Sequence, residues 1–266
     1  MKLLNYIRKN IEYVIFFFLV LILSILILRK SWESFFNEQH GINRLDAVIY
    51  INLENRADRK DFLIKDLEKL NTNMGKVHKV CGVYIPKNGH KGCIQSHILA
   101  LNMIKLNKWK RTLILEDDAE LVMDPEIVND TLNKTMDTLD INNSNWDVIM
   151  LATANKEIDN KHKKHDINVE SRDGSIKDNL QIQKLKKATT SSAYIVKDTY
   201  VDNIINLFNN CNNNMEHGKL SGEGFEMWAL DQKWAVLQAK DNWFVLDKDP
   251  ISQRNIWSTI MSESHS

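Results

Sequence analysis

Thr112-Leu113-Ile114-Leu115-Glu116-Asp117-Asp118-Ala119-Glu120 is the stretch on which the reading of this chain turns. Its apolar residues 113–115 predict a buried strand, and three consecutive carboxylates sit where that strand surfaces. In open α/β sheets, ligands collect beyond the carboxyl ends of strands. Two unit charges about 4 Å apart repel by roughly 4 kcal/mol at an effective dielectric near 20, so grouped acids must face water or share a cation. Hard oxygen ligands suit Mn2+ or Mg2+. A solvated acidic turn opening the next helix is the competing reading, and the stretch alone leaves both open.

Upstream, Ala47-Val48-Ile49-Tyr50-Ile51-Asn52-Leu53 predicts a buried parallel strand. A helix with Phe62, Leu63, Leu67 and Leu70 on one face follows. Arg56 and Arg59 lie between the two, a position suited to phosphate or nucleotide, or equally to a charged first helical turn. Val80–Tyr84 reads as a second strand. Gly92-Cys93-Ile94-Gln95-Ser96-His97 then enters a helix carrying Ile98, Leu101, Ile104 and Leu106, where a lone His is most often a structural donor.

Downstream, Asp124-Pro125 marks a helix start, with Asp at the N-cap and Pro at the first helical position. Trp146–Ala152, Thr189–Val196 and Trp243–Leu246 predict strands, and residues 198–208 a helix. Lys156 to Lys187, dense in Lys, Asp and Asn and holding His162 and His165, reads as a mobile polar insertion, either a lid or a solvated loop. Ser221-Gly222-Glu223-Gly224-Phe225-Glu226 lacks the third Gly and the preceding strand of a dinucleotide fingerprint. Behind it, one helix is expected to carry Met227, Trp228, Asp231, Trp234 and Leu237. Asp231, beside the apolar face, is either a partnered acid or a base with tuned pKa.

The whole chain predicts an α/β sheet in which strands alternate with helices. Nine Gly and three Pro in 266 residues argue against a turn-rich all-β fold. Net charge is +0, so bulk electrostatics makes no case for a nucleic-acid partner. Cys81, Cys93 and Cys211 form no zinc pattern. Cys81 and Cys93 read as free thiols or as a disulfide pair, and Cys211 as a loop thiol. P-loop, GxSxG and HExxH motifs are missing from the sequence.

Tyr13 to Leu28 holds no charge and is almost continuously apolar. From Ile11 the run is 18 residues, about 27 Å as a helix. It ends in Arg29-Lys30-Ser31-Trp32 rather than small residues, so it reads as a retained transmembrane anchor rather than a cleaved signal peptide. The expected organisation is a tail at 1–10, an anchor at 11–28, a stem at 29–43 and a catalytic domain at 44–262. Lys2, Arg8 and Lys9 precede the span while Arg29 and Lys30 follow it. The positive-inside rule thus leans to a cytoplasmic N-terminus, a single-pass type II protein with its body in the ER/Golgi lumen or otherwise extracytoplasmic. Sequons at Asn129, Asn133 and Asn142 agree with that placement.

Ile51-Asn52-Leu53 with Arg56 and Asp58-Arg59, then Gly92-Cys93-Ile94-Gln95-Ser96-His97, then Leu115-Glu116-Asp117-Asp118, stand in the order seen in glycosyltransferase family 25. That family includes lipopolysaccharide-biosynthesis glycosyltransferases and procollagen galactosyltransferases. The Ala193-Tyr194 strand, Asp231 and the spacing of Pro250, Gln253, Ser258 and Ile260 also resemble its C-terminal half, so the resemblance covers about Ala47 to Ile260. Cys81, the insertion at 156–187 and the N-terminal anchor depart from the family pattern.

The resemblance implies a single GT-A-like domain, a UDP-sugar donor (galactose or glucose) and a cation, Mn2+ or Mg2+. Glu116 and Asp118 would hold the cation with Asp117 beside them, and His217 is a candidate third ligand. Asn52, Arg56 and Arg59 would hold the nucleotide, with Ser96 and His97 ordering the pocket. If the reaction inverts, Asp231 would be the base, with Glu226 and Glu223 as alternates. The acceptor would be a glycan, a lipid-linked sugar or a hydroxylysine-type protein. The alternative is a non-catalytic relative that binds a nucleotide-sugar or glycan in the same pocket. A nucleotidyltransferase would need a Gly-rich, basic nucleotide loop that the sequence lacks.

Overall fold

The computed structural model describes residues 2–38, 40–86, 88–142, 145–217 and 228–255. The chain divides into two compact units, Met1–His40 and Gly41–Ser266. The first is one helix, α1 (Lys2–Glu38), 37 residues long. Its side chains from Ile15 to Leu28 are exposed throughout, and all are apolar except Ser24. Among the described residues, no helix is long and apolar enough to cross a membrane.

In the second unit, runs of β-branched and aliphatic residues form strands buried on both faces, as expected where helices cover a sheet on either side. β1 (Ala47–Asn52) is buried at every position. β2 (Val77–Cys81), β1 and β3 (Arg111–Glu116) run parallel. The order then continues through β9 (Ala193–Lys197), β5 (Val148–Met150), β10 (Trp243–Leu246), β8 (Lys177–Thr189) and β6 (Ala154–Ile158), with β7 (His165–Glu170) paired to β8. β9 runs antiparallel to both β3 and β5, so the nine-stranded sheet is mixed. A separate antiparallel pair joins β4 (Ala119–Leu121) to β11 (Ile251–Gln253).

Strand alternation divides the core between two helical layers. Val48, Tyr50, Leu113 and Leu115 point toward α2 (Ala57–Lys69) and α4 (Pro125–Ile141). Ile49, Ile51 and Ile114 point toward α3 (Gly89–Asn107) and α5 (Val201–His217). α4 begins as read: the Asp124 side chain accepts from the Glu126 N–H and Pro125 opens the helix.

Several expectations need correction. Residues 156–187 are not a mobile loop. Most of them build β6, β7 and β8, and the alternating Ile167 and Val169 of β7 and Leu180 and Ile182 of β8 are buried. The expected strand at 80–84 lies earlier, at Val77–Cys81. Thr189–Val196 is two strands, broken where Thr190 takes a left-handed φ of 70°. The helix at 198–208 continues to His217 and buries Cys211, which is therefore no loop thiol. All three cysteines are free. Behind residue 227 stand two short helices, α6 (Leu230–Lys233) and α7 (Ala235–Lys240), instead of one.

Two of the three sequon asparagines are engaged in the fold. The Asn129 amide accepts from the Ile42 N–H and donates from Nδ2, the atom a glycan would need, to the Leu70 carbonyl. Asn133 Oδ1 accepts from the Gly41 N–H. Both side chains clamp α4 to the 3₁₀ turn Gly41–Arg44.

Candidate active site

The sheet's topology delivers the site. Ile51 pairs with Glu116, so the parallel strands β1 and β3 end together, placing Asn52 beside the acidic cluster. β9 starts where β3 stops, with Ala193 opposite Leu115, so the loop 190–192 arrives at the same edge. β11 pairs Gln253 with Ala119 and brings Gln253 against Asp118. Asp117 and Asp118 form the turn into β4 and do not open a helix.

Asp117 is the most firmly held acid. Arg59 Nη1 donates to its Oδ1 at 2.9 Å, and Asn52 Nδ2 donates to its Oδ2 at 2.9 Å. Arg59 and Asp117 are both buried. Asp118 lies 3.8 Å from the same guanidinium and accepts from Gln253 Nε2 at 3.1 Å and Ser192 Oγ at 3.4 Å. Glu116 Oε1 accepts from Ser191 Oγ and lies 3.3 Å from His97 Nε2. His97 is fully buried, and its Nδ1 is 3.0 Å from the Tyr194 hydroxyl.

Burial works to raise the Glu116 carboxyl, but His97, Ser191 and Arg59 more than offset it and hold it below its usual range. Asp118 goes the other way. Burial, then the neighbouring Glu116 charge, pushes it up to about 7, and Gln253 and Arg59 offset this only in part. Asp117 and Asp118 thus share one close guanidinium while Glu116 leans on His97, and the deficit of positive charge falls on Asp118. The donor set fits a hard divalent cation, which would supply the missing charge.

These acids line a cavity of about 110 Å3 together with Ile51, Leu53, Arg59, Ser96, His97 and Gln253. Its far wall is the loop Gly82–Ile85, held down on α3. A Cβ on Gly92 would lie 2.3 Å from the Val83 carbonyl oxygen, so only glycine permits this approach. Ser96 Oγ accepts from the Val83 N–H at 2.8 Å and donates to the Gly92 carbonyl at 2.7 Å, which makes Ser96 a fastener of the wall.

Of the residues read from sequence, Asn52, Arg59, Ser96, His97, Glu116, Asp117 and Asp118 come together here. Arg56 does not line the cavity; it forms a two-pronged pair with Asp58, both contacts 3.0 Å. Asp231 lies behind the loop 190–192, its Oδ2 accepting from the Thr190 N–H at 3.1 Å. Glu223 and Glu226 lie outside the described residues, as does the side chain of His217. Sequence reasoning missed Thr190, Ser191 and Ser192, taken for strand. The local signal was four hydroxyl residues in a row, Thr189 to Ser192, where a buried strand would carry apolar ones.

The chain is similar to A197 from STIV (9% identity, 78% of this chain and 83% of that one, TM-score 0.37). It is also similar to a mannose-1-phosphate geranyltransferase from Thermus thermophilus (9%, 80% and 75%, 0.38). A third is a glycosyltransferase involved in the glycosylation of the major capsid of PBCV-1 (9%, 82% and 97%, 0.42). No curated protein matches the chain. Residues 87–218 match the family model described as glycosyltransferase family 25 (LPS biosynthesis protein), and that span takes in Cys93, His97, the acidic cluster and the loop 190–192. Residues 87–218 thus place this part of the chain in glycosyltransferase family 25, and the chain is a glycosyltransferase.

Proposed function

We propose that the chain moves a hexose, galactose or glucose, from a UDP-sugar to an acceptor hydroxyl on a glycan or protein. The domain is GT-A-like, and the reaction is metal-dependent and inverting. The observation that carries this reading is the buried excess of negative charge at the end of β3, where Asp118 lacks a full counter-charge. Glu116 and Asp118 would hold Mn2+ or Mg2+, which when bound neutralises charge on a departing nucleoside diphosphate.

The chain's own residues supply the rest. Arg59 and Asn52 fix Asp117, so the acidic turn keeps its shape before donor arrives. Gln253 and Ser192 orient Asp118. The wall Gly82–Ile85, pinned by Ser96, screens the donor from water on one side. Asp231, half-exposed and steadied by the Thr190 N–H, takes the proton from the acceptor hydroxyl as it attacks.

α1 is proposed to be a retained membrane anchor with the catalytic unit extracytoplasmic. Tyr13–Leu28 carries no charge, and a helix of exposed apolar side chains is stable where lipid replaces water.

The test is UDP release from a panel of UDP-sugars, with Mn2+ and with EDTA, beside Asp118→Asn and Asp231→Asn. The reading predicts metal-dependent release from one donor, lost in both variants, with Mn2+-dependent UDP binding retained in Asp231→Asn. Release undiminished by EDTA would overturn the metal reading. Carbonate extraction tests the anchor separately, since a true span stays with the membrane pellet.

A further inference from the structure

Cys93 and His97 stand four residues apart on α3, so both side chains face the same way, toward the end of β3. Cys93 Sγ, a His97 ring nitrogen and a Glu116 carboxylate oxygen all lie within 4.8 Å of one another. His97 Nε2 and Glu116 Oε1 are already 3.3 Å apart, against the about 3.4 Å separating N and O ligands of a tetrahedral zinc ion. Sulfur and nitrogen ligands of such an ion lie about 3.6 Å apart, so the thiol would need to move by about 1.2 Å at most. The Tyr194 hydroxyl at His97 Nδ1 supplies the outer partner that commonly orients a ligating imidazole.

We propose that Cys93, His97 and Glu116 form a second metal site, selective for a thiophilic divalent ion of the Zn2+ class. Its fourth position opens to the cavity, which all three residues line. A thiolate, a carboxylate and a neutral imidazole around a divalent ion sum to zero charge, which suits a buried setting. Burial, with the charges of Glu116, Asp231 and Asp118, keeps the metal-free thiol protonated, so binding releases that proton to the buffer as the metal–sulfur bond forms. Soft sulfur ligation disfavours Mn2+, and affinity at such a site rises from Mn2+ to Zn2+. Resting on the function proposed above, the shared Glu116 makes the two ions compete, so Zn2+ inhibits the Mn2+-supported reaction.

The experiment is titration of the full chain with Co2+ as a spectroscopic stand-in for Zn2+, followed by displacement with Zn2+. The expected result is one equivalent bound, with a thiolate-to-cobalt charge-transfer band. That band should vanish in Cys93→Ser, weaken in His97→Gln and persist in Cys81→Ser and Cys211→Ser. A melting curve for each variant separates loss of the ligand from loss of the fold. No band, or a band that survives in Cys93→Ser, overturns the site. Binding without Zn2+ inhibition of UDP release overturns the sharing of Glu116. Absence of UDP release under every condition instead defeats the functional reading and leaves the cobalt result standing.

Discussion

The end of β3 and the β6–β8 meander are both crowded with charge, and they use it in opposite ways. Two of the meander's cross-strand ion pairs sit in water: Lys186 with Glu157 at 3.2 Å and Lys177 with Glu170 at 3.6 Å, all four side chains more than half exposed. At β3, Asp117 and Asp118 share Arg59 in a buried setting beside Glu116, and Asp118 cannot ionise freely. Solvent forgives one arrangement and not the other. Charge density in a sequence therefore marks a site only where the fold withdraws the water that would screen it.

The sharpest way to break this contrast is Asp118→Asn, which removes the under-compensated acid without changing its size. Metal-supported UDP release should fall by roughly 10²–10³ in kcat, an effect typical of losing one electrostatic element of a site. Activity within a few-fold of the parent would reduce the acidic cluster to a structural turn.

Next in size is Arg59→Ala, which strands Asp117 without its buried partner. Breaking a buried pair on one side costs about 3–5 kcal/mol, measurable as a lower urea midpoint. Mn2+ at saturation should restore part of that loss, because the ion supplies the missing positive charge.

A pH series sharpens the comparison further. The folded chain holds the Asp118 proton to about pH 7, whereas an unperturbed carboxyl releases it near 3.8. The folded state thus binds the extra proton between those values, and metal-free protein should lose stability as pH rises through that window. Asp118→Asn should flatten the trend, as read from melting temperature against pH in EDTA. The smallest effect belongs to the meander: Lys186→Ala should shift stability by less than about 1 kcal/mol and fade in high salt.

How far the site could be read from sequence follows from how local each part is. The acidic run, the strand before it and the Asp124-Pro125 helix start are contiguous signals, and each stands where it was placed. Arg59 sits close enough to β1 for strand-end logic to reach it. Arg56, three residues earlier, satisfies every sequence criterion equally well, yet Asp58 captures it. The meander was misread because its composition is polar, while the alternation of Ile167 and Val169 already carried a strand's period.

By itself, the sequence determined the strand–helix alternation, the apolar N-terminal run and the three acids at one strand end, because each depends on neighbours a few residues apart. Only the tertiary structure decided that Ser191, Ser192 and Gln253 would hold those acids. Nothing in the residues near positions 191 or 253 states that β9 runs antiparallel to β3 or that β11 pairs with β4. Those pairings are won by burial across the whole sheet, which no local stretch encodes.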